Sequence, residues 1–357
     1  MTTKDEDEIS HLVSATTHDT LLFFTNKGRV FGSKAWEIPE TSRQAKGQAL
    51  VNILNLEQDE EILSLLPLNA EAKIKNLILS TEKGIVKKTS IKEFENLRSS
   101  GLIAIKLQTG DTLVSVHPTS GEDHILILTL KGKSIRFPEA NVRPMGRATT
   151  GVSGIKLDLP AGRQESGDQV IGMEVFPAKE EIATDKRRKI YRDILTISQH
   201  GLGKRTPVHL FPVQKRSGKG VKAVIINPKT GNLAAALMVT QDIDQVVITS
   251  KGGQVIKLPL KNIPKLGRAT QGVILMRFTD KTDIVAAPAG VQKAEVVFGI
   301  PAGEVTLDIV GVQKLLGDGI AQEDDAIVLL EGQFRRLRHV GLTSSVSPSP
   351  LATGQRS

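Results

Sequence analysis

Lysine and arginine recur beside glycine in two kinds of short polar segment, and each kind occurs five times along the chain. Such cations can neutralise phosphate groups, while glycine lets the backbone approach closely, and neither contact reads base sequence. The first set comprises Lys27, Arg29, Lys83, Lys87, Lys88, Lys131, Lys133, Arg136, Lys204, Arg205, Lys251 and Lys257; the second comprises Arg43, Lys46, Arg98, Arg143, Arg147, Lys215, Arg216, Lys219, Lys265 and Arg268. If the repeats close into a ring, these residues predict a basic belt that fits a curved phosphate backbone.

The first kind of segment joins an apolar run to a basic run through a short turn with glycine, which is typical of a β-hairpin. Its copies are LLFFTNKGRVFG ending at Gly32, LILSTEKGIVKK ending at Lys88, LILTLKGKSIRF ending at Phe137, LTISQHGLGKRT ending at Thr206 and VVITSKGGQVIK ending at Lys257. The second kind follows a polar loop and reads SRQAKGQALVNIL, NLRSSGLIAIKL, GRATTGVSGIKL, KRSGKGVKAVII and GRATQGVILMRF. Together they indicate a repeated unit of short strands.

The spacing between the two glycines of each unit is nearly constant. The pairs are Gly28 and Gly47, Gly84 and Gly101, Gly132 and Gly151, Gly201 and Gly220, and Gly252 and Gly272, at intervals of 19, 17, 19, 19 and 20 residues. A chain with 32 glycines and 16 prolines, rich in short Val and Ile runs, favours strands over long helices. Because one such unit cannot bury both of its faces, we predict an all-β fold in which four-stranded blades form a propeller-like disc.

The predicted organisation has three parts. Residues 1–17 are a remnant of a preceding blade or linker, and residues 288–357 are an unassigned tail, partly disordered. Between them lie five units at about 18–64, 65–109, 110–166, 167–230 and 231–287. The net charge of +8 is uneven, because residues 1–287 carry 41 Lys and Arg against 31 Asp and Glu, which favours a polyanionic partner in this part.

Composition excludes several other kinds of site. The chain has no cysteine, which excludes disulfides and thiolate chemistry and is compatible with a cytoplasmic protein, and it has neither a secretory signal nor an apolar run of membrane-spanning length. The seven histidines lack a metal-ligand spacing, so we expect no metal site. Aromatic residues make up only 3% of the chain, so platforms for stacking single-stranded bases are scarce and duplex binding is favoured.

The repeats resemble the C-terminal β-pinwheel of bacterial DNA gyrase A. The resemblance runs from about residue 5 to residue 287 and is clearest in HDTLLFFTNKGRVFGSKAWEIPETSRQAKGQALVNILNLEQDEEILSLLPL, from His18 to Leu68. It implies a β-pinwheel that wraps double-stranded DNA for a type II topoisomerase and thereby supports supercoiling. It also implies an A2B2 holoenzyme with the gyrase B protein and the rest of gyrase A, which uses ATP and Mg²⁺ outside this chain, so we expect no cofactor here.

Two departures from that family qualify the expectation, namely the number of units and the tail, which from AGVQKAEVVFGIPAGEV onward resembles nothing in the family. The family has six blades, the first with a Q-R-R-G-G-K-G box, whereas this chain has five units, and SRQAKGQ and KRSGKGV are only degenerate echoes of the box. We therefore expect a pinwheel that lacks its first blade at the N-terminus. The family's cleavage tyrosine follows an arginine, whereas the sole tyrosine here, Tyr191, follows Ile190, so we expect no strand cleavage and no catalytic residue.

Two alternatives remain open from the sequence. The equivalent domain of topoisomerase IV shares the pinwheel and often has an altered box. A propeller that serves as a protein-interaction scaffold is the alternative of another class, in which surface cations only keep the protein soluble and discourage aggregation.

Overall fold

The computed structural model describes most of the chain. The described residues are 8–38, 50–68, 74–95, 97, 100–157, 167–178, 191–240, 243, 245–280, 282–286, 295–297, 325–333 and 336–344. The predicted cations Arg43, Lys46 and Arg98 lie outside them. The last thirteen residues of the predicted tail, 345–357, also lie outside them.

Strands and single turns of 3-10 helix make up the regular structure of the described residues. The strands are β1 (Glu8–Thr16), β2 (Thr20–Thr25), β3 (Arg29–Lys34), β4 (Ile62–Leu68), β5 (Asn76–Thr81), β6 (Ile85–Ser90), β7 (Leu102–Ile103), β8 (Leu113–Thr119), β9 (Asp123–Thr129), β10 (Lys133–Pro138), β11 (Val152–Ser153), β12 (Val170–Pro177), β13 (Arg192–Ser198), β14 (Leu202–Pro207), β15 (Val221–Lys222), β16 (Leu233–Thr240), β17 (Gln245–Thr249), β18 (Val255–Pro259), β19 (Val273–Ile274), β20 (Glu295–Val297), β21 (Asp325–Gln333) and β22 (Arg336–Ser344). The 3-10 turns are Ala35–Glu37, Leu50–Asn52, Ile91–Phe94, Glu139–Asn141, Val208–Leu210 and Leu260–Asn262. The predicted all-β class is confirmed.

Four sheets share one strand order, and each has four antiparallel strands. The orders are β4-β2-β3-β7, β8-β5-β6-β11, β12-β9-β10-β15 and β16-β13-β14-β19. Two further sheets have three strands each, β18-β17-β20 and β1-β21-β22. The predicted four-stranded blade is therefore confirmed, and the predicted glycine hairpins are its two central strands.

The fourth strand of each blade comes from the following unit of the sequence. β7, β11, β15 and β19 have only two residues each, and each pairs with the hairpin of the unit before it. Backbone hydrogen bonds extend the exchange, because the amides of Ala104, Gly154, Ala223 and Leu275 donate to the carbonyl oxygens of Gly28, Gly84, Gly132 and Gly201 at 2.9, 2.8, 2.8 and 2.9 Å, respectively. The two glycine motifs of the repeat thus meet between units.

Positive φ identifies the glycine that each hairpin turn requires. Gly28, Gly84, Gly132 and Gly201 have φ between 73° and 83°, as the tight turn demands. In the fifth unit the residue with positive φ is Gly253, at 81°. The choice of Gly252 from the sequence is therefore wrong by one residue, and from Gly253 to Gly272 the interval becomes 19.

The core lies between the blades. Leu22 and Phe24 of one blade pack with Leu77 and Leu79 of the next, and similar buried clusters join each later pair of blades. Because both faces of a central strand are covered in this way, β2, β5, β9 and β13 are nearly continuous apolar runs without a polar face.

The inner strands β4, β8, β12 and β16 contact one another in succession. Each of the four strands has one residue at the equivalent register position opposite the adjacent hairpin strand. These residues are Leu66, His117, Glu174 and Met238, and they pair with Leu22, Ile78, Leu126 and Ile194, respectively. Burial raises the pKa of the Glu174 carboxyl to about 7, although a hydrogen bond from the backbone of Met238 opposes the shift. Burial lowers the pKa of His117 to about 4, against a backbone hydrogen bond with Met173.

The strand exchange predicts a specific sensitivity at Gly201. A Cβ added there would overlap the carbonyl oxygen of Met276 in the following unit, and the residue has φ +75°. We therefore expect Gly201→Ala to lower the free energy of unfolding by about 2 kcal/mol, as measured by urea denaturation. Gly267→Ala is the control, because a Cβ there meets nothing within 4 Å. Equal effects of the two substitutions would contradict this account of the turn.

Candidate nucleic-acid interface

The second glycine segments of consecutive units lie side by side and form one continuous path. We call the segments 100–107, 143–157, 213–226 and 264–277 the rim loops. Each is hydrogen-bonded to the next, since the amides of Lys106, Lys156 and Ile225 donate to the carbonyl oxygens of Thr149, Gly218 and Thr270 at 3.0, 2.9 and 3.2 Å, respectively. A ligand that follows one rim loop therefore meets the next without a gap in the backbone.

The rim loops carry charge of one sign. Their sequences contain eleven Lys and Arg and no Asp or Glu. Eight of these cations are exposed, namely Lys106, Arg143, Lys156, Lys215, Lys219, Lys222, Lys265 and Arg277, and three are half-buried, namely Arg147, Arg216 and Arg268. A run of exposed cations along one path raises the local concentration of a polyanion and neutralises its phosphates.

Four of the rim cations were missed by the sequence analysis. They are Lys106, Lys156, Lys222 and Arg277, one in each rim loop. A signal for three of them was present, because Lys106, Lys156 and Arg277 each stand five residues after the second glycine of their unit. These residues follow an apolar run, a pattern that is also typical of the end of a core strand.

Two rim arginines are held by backbone carbonyl groups. Arg216 donates from Nη1 to the carbonyl oxygen of Ser153 at 2.5 Å, and Arg268 donates from Nη1 to that of Lys222 at 2.9 Å. Both bonds join one rim loop to its neighbour. The guanidinium groups thus contribute positive charge and also help to fix the spacing of the loops.

Four of the predicted cations at the hairpin turns have counter-charges or acceptors of their own. The ammonium groups of Lys27 and Lys83 donate to the carbonyl oxygens of Gln58 at 2.6 Å and Thr109 at 2.7 Å. Lys131 donates to the side-chain oxygen of Asn232 at 3.1 Å, and Arg29 forms ion pairs with Glu57 at 3.1 Å and Glu60 at 2.8 Å. Two cations of the rim loops also have acidic partners, since Lys265 pairs with Asp193 at 2.9 Å and Arg147 pairs with Glu93 at 3.7 Å.

Three cations on the second hairpin strands are bonded to neighbouring parts of the protein, and one of them is buried. The buried Lys88 donates to the carbonyl oxygen of the buried Glu139 at 3.0 Å. Arg136 lies over the ring of Phe176 at 5.0 Å and donates to the carbonyl oxygens of Val208 and Phe211, and Arg205 donates to that of Ile263 at 2.8 Å. Neighbouring blades cover both faces of these strands, so Lys88 is buried and does not reach a phosphate, whereas the phosphate contacts of the half-buried Arg136 and Arg205 stay a prediction.

Lys87 and Lys204 are the two cations whose placement differs most from the prediction. Both have 0% exposure, so neither reaches a phosphate from this position. Lys87 donates to the carbonyl oxygens of Ala104 (2.6 Å) and Arg147, and Lys204 donates to those of Ala223 (2.9 Å), Gly267 (2.6 Å) and Arg268 and to Thr270 Oγ1 (3.0 Å). The predicted direct contact of these two lysines with phosphate is therefore withdrawn.

Burial also changes the protonation of these two lysines. Desolvation, helped by the nearby Arg147, lowers the pKa of Lys87 to about 8, and Glu93 opposes the shift. Desolvation, helped by Arg268, lowers the pKa of Lys204 to about 8 as well. Both ammonium groups still hold their protons near pH 7, when their hydrogen bonds to carbonyl oxygens are charge-assisted.

The remaining predicted residues lie at the surface or near it. Lys133 is half-buried, and Lys251 and Lys257 are exposed. Tyr191 is exposed, with the ammonium of Lys265 at 6.0 Å from its ring. Within the described ranges, no group of three or more His, Asp or Glu side chains could hold a metal ion. No helix among the described residues has the length and apolar character needed to cross a membrane.

Known sequences resemble this chain over most of its length. The sequence profile of the family described as "DNA gyrase C-terminal domain, beta-propeller" matches residues 19–69, 75–120, 123–177, 192–240 and 244–291. DNA gyrase A of Staphylococcus aureus strain NCTC 8325 / PS 47 is 36% identical over 329 residues, which are 92% of this chain and 34% of that protein. The same protein of strain MRSA252 is 40% identical over 281 residues, 78% of this chain and 30% of that protein. The chain thus spans about a third of the length of these relatives.

The prediction that the resemblance to the family ends at residue 287 is wrong for the first of these relatives. Its match covers 329 residues of this chain, more than residues 1–287 can supply, and so extends into the predicted tail.

Solved structures share the fold. The C-terminal domain of DNA topoisomerase IV has a TM-score of 0.64 at 24% identity, over 76% of this chain and 78% of that one. The C-terminal domain of DNA gyrase A has a TM-score of 0.59 at 24% identity, over 79% of this chain and 86% of that one.

Proposed function

The chain belongs to the family of DNA gyrase C-terminal domains, and from that premise we propose that it binds double-stranded DNA without sequence preference and bends it along the rim loops. The observation that carries the proposal is the continuous path of the rim loops, whose sequences contain eleven cations and no acidic residue. Cations alone position a backbone and release its counterions, which accounts for binding without base readout. If the path follows the disc of blades, its curvature favours a bent duplex, because bending brings more phosphates within reach.

We propose that this activity supports ATP-dependent supercoiling by a gyrase holoenzyme. The chain would act there with the rest of gyrase A and with the gyrase B protein in an A2B2 assembly in the bacterial cytoplasm, with ATP and Mg²⁺ bound outside this chain. Relatives at 36% and 40% identity are named as gyrase proteins, which favours gyrase over topoisomerase IV. The boundaries of the five units stay predictions, and residues 288–357 are assigned no role.

A salt series tests the phosphate contacts of the rim loops. We expect binding to a duplex of roughly fifty base pairs to weaken steeply as salt rises, and bending to shorten the end-to-end distance measured by energy transfer. Lys215→Met removes one exposed rim cation, so the slope of log K against log salt should decrease in magnitude by about 0.9. The measurement is fluorescence anisotropy between 50 and 200 mM salt, roughly the range over which such slopes are resolved.

Lys229→Met is the matched control, because Lys229 is exposed and lies outside the rim loops. Its slope should equal that of the unaltered chain. If neither the unaltered chain nor the control binds duplex even at low salt, the proposed function is wrong and the protein-interaction scaffold becomes the better explanation. If binding is strong but Lys215→Met leaves the slope unchanged, the path of the DNA lies elsewhere.

A further inference from the structure

Two rim loops share a turn that directs carbonyl oxygens inward. They contain the closely similar segments MGRATTG at 145–151 and LGRATQG at 266–272. In each, the threonine hydroxyl donates to the carbonyl oxygen of the glycine three residues before it, Thr149 to Gly146 and Thr270 to Gly267, both at 2.9 Å. We call this turn the GRAT turn. It leaves the carbonyl groups of its arginine residues available to a donor beneath the loop.

A buried lysine supplies that donor and at the same time binds the preceding rim loop. Lys87 joins Ala104 of the first rim loop to Arg147 of the second. Lys204 joins Ala223 of the third rim loop to Gly267 and Arg268 of the fourth. Each ammonium group therefore ties two consecutive rim loops together from below.

The lysine and the GRAT turn occur together in the sequence. The residue three positions after the turn glycine is lysine in the second and fourth units, and the GRAT turn follows in the third and fifth. The same position holds Phe31, Ile135 and Ile256 in the first, third and fifth units. The rim loops that follow the first and third units, 100–107 and 213–226, do not contain the GRAT sequence. An apolar side chain fills this place without the cost of desolvating a charge, so core packing alone does not require lysine here.

The ties lie next to exposed rim cations. Lys106 stands two residues after Ala104, and its amide donates to the carbonyl oxygen of Thr149 in the tied turn. Lys222 immediately precedes Ala223, and its own carbonyl oxygen accepts from Arg268. Each ammonium group thus holds two cationic rim loops at a fixed separation. The lysine itself is buried and does not reach the surface.

We propose that Lys87 and Lys204 are positioning residues for DNA binding, each tying two neighbouring rim loops at the spacing that the phosphate backbone requires. The proposal rests on the proposed function. It assigns to buried lysines the task of preorganising a surface whose contacts are made by other residues. The rim loops then need no ordering when DNA binds, which strengthens binding without adding a contact.

Hydrogen exchange tests the ties without DNA. In the full chain, Lys204→Met should raise the exchange rates of the Ile225 and Leu266 amides at least about tenfold, because both bonds hold the fourth rim loop. The amides of Lys106 and Met145, which report on the other tie, should keep their rates. Lys87→Met should give the reverse pattern. A uniform rise at all four amides would show only global destabilisation and overturn the proposal.

DNA binding then separates positioning from contact. Lys204→Met should weaken binding about tenfold at every salt concentration with the slope of log K against log salt unchanged, since no phosphate contact is lost. Lys215→Met, by contrast, should change the slope and leave the exchange rates of all four amides unchanged. Loosened loops with unchanged affinity would overturn the positioning role while leaving the proposed function intact. Absence of duplex binding by the unaltered chain would instead reject the proposed function itself.

Thr270→Val is the milder variant for the case in which Lys204→Met does not fold. It removes the hydroxyl that accepts from Lys204 and donates to Gly267, while the lysine and its other carbonyl acceptors remain. We expect faster exchange at Ile225 and Leu266 and a smaller loss of affinity, again with the same salt slope. Unchanged exchange at both amides would contradict the tie.

Discussion

Replacing Lys106, Lys156, Lys222 and Arg277 with glutamate should weaken duplex binding about 10³-fold at 0.1 M salt, because four phosphate contacts of roughly 1 kcal/mol each are lost. The four residues are exposed and lie one in each rim loop, so the substitution interrupts the proposed path at every step. Each new carboxylate also repels a nearby phosphate, which adds to the loss. The measurement is anisotropy with a labelled duplex of about fifty base pairs, long enough for many phosphate contacts.

A second variant with the same net charge tests whether the position of the cations in the rim loops matters or only the total charge of the protein. Lys75, Lys92, Lys229 and Lys261 are exposed and lie outside the rim loops, and their replacement by glutamate makes the same charge change. We expect this control to weaken binding several-fold at most, through long-range attraction alone, which salt screens. Equal losses of affinity in the two variants would mean that the rim loops do not contact the duplex more than the rest of the surface does.

Glu174→Gln should stabilise the fold increasingly as pH rises, by up to about 3 kcal/mol at pH 7.5 relative to pH 4.5. Burial raises the pKa of Glu174 from 4.5 to about 7, so between these values the unfolded chain has lost a proton that the folded chain keeps. The free energy of unfolding of the unaltered chain therefore falls over this range. Glutamine is neutral at every pH and removes that contribution. The measurement is urea denaturation at several pH values between 4.5 and 7.5.

His117 acts in the opposite sense and has to be included in the comparison. Its pKa is lowered from 6.5 to about 4, so the unfolded chain binds a proton that the folded chain lacks, and stability rises with pH over this range. In the unaltered chain the two contributions oppose each other, whereas in Glu174→Gln only the rise from His117 remains. Glu122→Gln is the control at an exposed site, and its stability difference from the unaltered chain should not change with pH. A stability difference between Glu174→Gln and the unaltered chain that is flat with pH would contradict the assignment.

The repeat itself could be predicted from the sequence because its signals are local. Apolar runs joined by glycine predict hairpins, and a narrow glycine spacing predicts that the hairpins recur, as the structure confirms. The source of the fourth strand could not be predicted in this way. Strands such as β7 and β19 have two residues, too few for an alternating pattern, and their pairing is decided by how whole units meet.

The candidate interface was predictable as a property of the chain but less so residue by residue. Lys204 and Lys215 look alike in the sequence, since both are lysines close to glycine. They differ because Lys204 finds acceptors at sequence separations from 19 to 66 residues, which a burial pattern alone does not reveal. The two copies of G-R-A-T, around Arg147 and Arg268, supply the backbone carbonyl groups that accept hydrogen bonds from the buried lysines.

The exchange of short strands between units has a mechanical consequence. If the rim loops bend a duplex as proposed, the duplex tends to straighten, and the restoring force pulls outward on these loops. Because each rim loop is bonded to the hairpin of the preceding unit through carbonyl groups such as those of Gly28 and Gly84, the load on one loop passes to its neighbour. Neighbouring units then share the load, because a rim loop can be pulled away only if its hydrogen bonds to the preceding hairpin also break.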